Sequence, residues 1–138
     1  MITLFITAQI IFTLNAGLMP VCKDLSYPAL DGCYNNNKVY TSETTSRPKD
    51  FVLYHEIGHS LYNKEIRKGK SIFEWNDVEI MAENFGLYIY ESKYPEHFIK
   101  TEYRDYFQEK CPQKCIDEII NIKVPNMTYP IQPFNVVI

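Results

Sequence analysis

Two of the chain's 3 histidines stand four residues apart in His55-Glu56-Ile57-Gly58-His59. On an α-helix that spacing puts both imidazoles on one face about one turn apart, where they can converge on a single tetrahedral ion. Glu56 points at a different angle and is suited to reach a water bound to such an ion, which is where a general base belongs. The composition gives the H-E-x-x-H pattern roughly one chance in 200 of arising somewhere in the chain, so an accidental helical pair of histidines is the weaker reading.

A hydrolytic zinc site takes three protein ligands and leaves one position for water. The extended motif, with a glycine three and a histidine six residues after the second histidine, is excluded because Tyr62 and Glu65 stand there. His97 is the other histidine, but a carboxylate on the next helix is the better third ligand. Glu79, Ala82, Glu83, Gly86 and Tyr90 share a stripe at helical spacing on an otherwise apolar segment. Two acids and two very small residues on a buried helix make sense if it lies close against the histidine helix and its acids meet a cation. Glu79 then completes the ligand set, with Asp77 as runner-up. Glu83, one turn on, is placed to accept a hydrogen bond from the distal nitrogen of a ligand histidine.

These residues need two helices and something to carry them. The histidine helix is expected over Phe51 to Ile66, with Ser46 as N-cap, Pro48 in the first turn and Gly69 as the stop. The glutamate helix is expected to start between Ile72 and Asp77, where Ser71-Ile72-Phe73-Glu74 matches a capping box, and to run to about Ser92 before Pro95. A more polar helix follows from Glu96 to Lys110, then a short one near Pro112 to Ile122. Upstream, residues 22–37 read as loop and turns, and Lys38 to Thr41 as a short strand. Residues 1–18 are either strand or a signal-like segment: the apolar run lacks a preceding Lys or Arg, and its Ile, Thr and Phe favour strand. Residues 124–138 carry three prolines and read as an extended tail.

At 138 residues the chain is the size of one domain, with no linker or repeat. A net charge of -3 and no basic stripe interleaved with aromatics argue against nucleic acid. The apolar amino-terminal run is too short and too polar for a stable membrane span. Cysteines fall in two local pairs, Cys22 with Cys33 and Cys111 with Cys115, which permits disulfides and leans toward an extracytoplasmic setting, with the compartment left open. A continuous helix through Cys111 and Cys115 would orient them poorly for bridging.

The H-E-x-x-H helix followed by Glu79-Ile80-Met81-Ala82-Glu83-Asn84-Phe85 resembles the gluzincin metallopeptidases, and by size the minimal single-domain members, the minigluzincins. The likeness covers about Val39 to Ser92. It implies an α+β, zincin-like domain: a short mixed β-sheet, an active-site helix, a glutamate helix and C-terminal helices. It implies one Zn2+ held by His55, His59 and Glu79, with Glu56 as general base for peptide-bond hydrolysis. In that family an edge strand ahead of the histidine helix pairs with an extended peptide, and Lys38 to Ser42 is in the matching place. The acid four residues after the third ligand is more often Asp there. No Tyr or His matches the family's transition-state residue, so Tyr62, Tyr88, Tyr90 and His97 stay open for it. The alternatives are a catalytically inactive binding module of the same fold and a latent peptidase whose tail, residues 124–138, lies across the cleft.

Overall fold

The computed structural model describes residues 5–13, 32–42, 47–69, 72–73, 77–94, 96–97, 99–124 and 134–136. Asn36 and Asn37 both take positive φ, 50° and 59°, a conformation that asparagine tolerates well and that closes a two-residue hairpin with the native strand twist. That turn joins β2, Gly32–Asn35, to β3, Lys38–Ser42, paired antiparallel with Cys33 opposite Tyr40. The strand at β2 departs from the expected loop over residues 22–37: glycine and asparagine mark the hairpin's ends and hide the strand between them.

A first strand, β1 (Gln9–Thr13), runs parallel to β3 with Ile10 opposite Val39. On its other side β1 pairs antiparallel with β4 (Phe134–Val136), giving a mixed sheet of order β2-β3-β1-β4. The strand reading of the amino-terminal run therefore holds over Gln9–Thr13, and Ile6, Ala8, Ile10 and Phe12 are buried with period two. Glu118 fixes the entry to this strand by accepting the backbone N–H groups of Phe5 and Ile6, at 2.8 and 3.1 Å. The tail is described at β4, on the side of the sheet away from β2.

Four helices follow β3: α1 (Lys49–Arg67), α2 (Val78–Lys93), α3 (Thr101–Lys110) and α4 (Gln113–Ile120). Pro48 occupies the N-cap position of α1 without a side-chain cap, and the expected cap Ser46 lies outside the described residues. Gly69, at φ 75°, ends the helix where a side chain would be strained. The start of α2 is capped by Asp77, whose carboxylate accepts the backbone N–H of Glu79 at 2.7 Å and that of Ile80. Ser71 and Glu74 of the expected capping box lie outside the described residues. Helix α3 starts five residues later than expected, at Thr101.

Helix α1 lies between the sheet and α2, so it is buried on most sides. Leu53, Tyr54 and Ile57 join Ile10, Phe12 and Val39 of the sheet in one core. On the α2 side an aromatic cluster of Tyr62, Phe73, Phe85, Tyr88 and Phe107 binds the helices together, Phe85 meeting Tyr62 and Phe107 edge-on at 5.3 and 5.2 Å. Phe85→Ala is expected to cost about 3–5 kcal/mol in chemical denaturation, because Phe85 is fully buried and cannot collapse away from its neighbours.

The chain breaks between α3 and α4 at Cys111, which has extended φ and is followed by Pro112. The break brings the Cα atoms of Cys111 and Cys115 to 5.0 Å and a disulfide joins them, which a continuous helix would have disfavoured. Cys33 is disulfide-bonded as well. No helix among the described residues is long and apolar enough to cross a membrane.

Candidate metal centre

The two long helices touch where their side chains are smallest. A Cβ on Gly58 of α1 would lie 3.0 Å from the Phe85 ring, and one on Gly86 of α2 would lie 3.3 Å from the Phe51 ring and 3.4 Å from the His55 backbone nitrogen. Ala82 is fully buried in the same seam. This close approach, anticipated from the stripe of small residues, carries the acids of α2 to the histidines of α1.

Glu79 meets both imidazoles. Its carboxylate oxygens stand 3.4 Å from His55 Nε2 and 2.9 Å from His59 Nε2. One ligand atom from each of these residues can be chosen so that all three lie within 4.8 Å of one another. A tetrahedral zinc with bonds of about 2.0–2.1 Å spaces its ligand atoms about 3.3 Å apart, so the residue types suit that ion and their atoms are grouped near the separation it needs. His55, Glu56 and His59 are buried while the Glu79 side chain is 55% exposed, so the group is closed by helix on one side and open to water on the other. Glu56 Oε1 stands 3.8 Å from His59 Nε2, beside this group and outside hydrogen-bonding reach of the nitrogen.

The charges explain each other. Glu79 is held well below the usual carboxylate range by hydrogen bonds with His55 and His59, which outweigh its partial burial. Burial opposes protonation of His55, yet the Glu79 and Glu83 carboxylates prevail and raise it to about 9. His59 is raised too: burial again opposes protonation, and the hydrogen bond with Glu79 and the charge of Glu56 prevail. Burial pushes Glu56 up to about 6, against the pull of His55 and His59.

Glu83 comes close to His55, with Oε2 3.2 Å from Nδ1, but without the expected hydrogen-bond alignment. The contact is electrostatic more than directional, since His55 Nδ1 is buried without an aligned hydrogen-bond partner. Arg47 lies behind Glu83, with Nη1 3.1 and 3.2 Å from its two oxygens and the guanidinium over the Phe51 ring. On the other histidine, Nδ1 stands 2.8 Å from Asn63 Oδ1. Neither Arg47 nor Asn63 was singled out from the sequence. Asn63 was legible, because it follows His59 by the same four residues that relate the two histidines; Arg47 was not, because it precedes the helix and its partner is on another element.

Asp77, the runner-up ligand, is committed to capping α2 and is absent from the ligand group. His97 is exposed and also outside that group. Of the residues left open for the transition state, Tyr62 is packed against Phe85 and Phe107 in the core, and the Tyr88 hydroxyl donates to the Cys111 carbonyl. Tyr90 stacks with Tyr94 near the far end of α2. The expected peptide-pairing strand, Lys38–Ser42, is flanked by β2 and β1 and has no free edge, because residues 32–35 supply an outer strand where a loop was expected. That outer strand passes the site: a Cβ on Gly32 would lie 2.6 Å from the Tyr40 carbonyl oxygen and 3.1 Å from Glu56 Cγ.

The chain matches no known protein-family model, no curated protein and no solved structure.

Proposed function

We propose that the chain is a zinc-dependent peptidase of the gluzincin kind with a zincin-like fold, in which His55, His59 and Glu79 hold one Zn2+ and Glu56 is the general base. The observation that carries this reading is the meeting of both histidine Nε2 atoms on the Glu79 carboxylate, with a buried glutamate immediately beside them. Zinc, when bound, supplies a Lewis acid that lowers the pKa of water towards about 7 and polarises a carbonyl.

The chain's own residues do the remaining work. Glu56 takes the proton of the attacking water and passes it to the departing amine, so it must alternate between charged and neutral forms. Burial assists that alternation by bringing its pKa to about 6, nearer to working pH than an exposed carboxyl would be. Glu83 stabilises charge on His55, and His55 and then Arg47 favour the ionised form of Glu83. The exposed side of Glu79 is the entrance.

An extended peptide is best seated on β2, the outermost described strand on that side of the sheet. Gly32 brings its backbone next to Glu56, and backbone pairing there holds a peptide without reading its side chains. The Cys111–Cys115 disulfide favours work in an oxidising compartment.

The test is cleavage of a mixed peptide library by the zinc-loaded protein, read by mass spectrometry. Cleavage that stops with a zinc chelator, returns with added zinc and is blocked by a hydroxamate is the expected result. A fully zinc-loaded protein that cleaves nothing would replace the enzyme with a zinc-containing binding module.

A further inference from the structure

A neutral imidazole carries one proton, and the nitrogen that binds a cation must be the one without it. In His59 the nitrogen facing Glu79 is Nε2, so with a cation held between them the one remaining proton has to sit on Nδ1. Nδ1 points to the side-chain carbonyl of Asn63 at 2.8 Å, an ordinary distance for an N–H donor and an oxygen acceptor. With the proton on Nε2 instead, the Nδ1 lone pair would face the carbonyl lone pairs. Asn63 is on α1 itself, one turn beyond His59, so the spacing is set by a single rigid helix and needs no other element.

We propose that Asn63 is a positioning residue of the zinc centre: its carbonyl oxygen holds His59 with the proton on Nδ1 and Nε2 bare toward the metal. The inference rests on the zinc reading above and adds a residue to it. The choice of an amide also has a charge consequence. His55 is backed by an anion, Glu83, which Arg47 neutralises, and His59 is backed by a neutral group. The groups behind the two histidines thus add no net charge of their own to the centre.

Asn63 is half-buried and outside the core, so replacing it should spare the fold. The experiment measures zinc affinity by competition with a chromophoric chelator for wild type, Asn63→Leu and Asn63→Asp, each checked for folding by circular dichroism. Long-range proton–nitrogen correlation spectra of the zinc-loaded proteins assign the protonated nitrogen of His59. The expected result is a proton on Nδ1 in wild type, a loss of affinity of roughly ten- to a hundredfold in Asn63→Leu, and wild-type or tighter binding in Asn63→Asp, which keeps an acceptor. If Asn63→Leu fails to fold, Asn63→Ala takes its place in the same titration.

An acceptor-free variant that binds zinc within about twofold of wild type, or a wild-type His59 bound through Nδ1, would overturn the assignment while leaving the zinc centre intact. A wild type that takes up no zinc overturns the metal reading itself and this assignment with it. The titration of wild type therefore separates the two failures.

Discussion

Wild-type protein is expected to carry one zinc per chain, and Glu79→Ala to bind it on the order of a hundredfold more weakly. Structural zinc sites are worth about 10–16 kcal/mol over four ligands, so one ligand accounts for about 3 kcal/mol, which is about two orders of magnitude in affinity. Glu79 is a good ligand to remove because its side chain is half exposed and its loss opens no core cavity. It is also the counter-ion of His55 and His59 in the metal-free chain, so folding of the variant must be checked before its metal content is compared. Elemental analysis gives the stoichiometry and thermal melting gives a second view. Free zinc at a thousand times its dissociation constant adds about 4 kcal/mol, or roughly 10–15 °C in Tm for a chain of this length, and the variant should show little of that gain. Wild type and Glu79→Ala with equal zinc content and equal melting shifts would remove Glu79 from the ligand set.

The parts of this site legible in the sequence are those fixed by spacing along one helix. His55, Glu56 and His59 needed only the helical period, and Glu79 needed only a reason for acids and small residues to share a buried stripe; Gly86, pressed against Phe51 and the His55 backbone, is that reason. The same period places Asn63 beside His59, yet asparagine in a helix reads first as a surface residue. What depended on chain elements far apart in sequence was harder. Arg47 joins Glu83 across 36 residues, and Glu118 holds the entry to β1 across 113; neither partner carries a local mark. The sheet was partly hidden for a different reason. Gly32-Cys33-Tyr34-Asn35 has a strand's backbone but a turn's composition, and without it Lys38–Ser42 looks like the outer strand. The reading of Lys38–Ser42 as an outer strand follows from that single omission.

Glu56→Gln is expected to keep its zinc and to lose turnover by about 10²–10⁴-fold, the range a general base supplies. The amide has the size of the acid, which matters because Glu56 is buried beside His59 and the backbone at Gly32. It cannot accept the proton, so binding survives and chemistry stops. Stability offers an independent check in the metal-free protein. Burial raises the Glu56 pKa from 4.5 to about 6. A raised carboxyl penalises the folded state when it ionises, so the penalty is absent below pH 4.5, grows between there and about pH 6, and is constant above. The shift corresponds to about 2 kcal/mol. Metal-free Glu56→Gln should therefore be the more stable protein at pH 7, by up to about that amount, and should lose the advantage as the pH falls from about 6 to 4.5. Such a gain in stability from deleting a charge, together with the loss of turnover, is the mark of a group held at a cost to the fold for its chemistry. Full turnover in Glu56→Gln with zinc in place would assign the proton transfer to another residue.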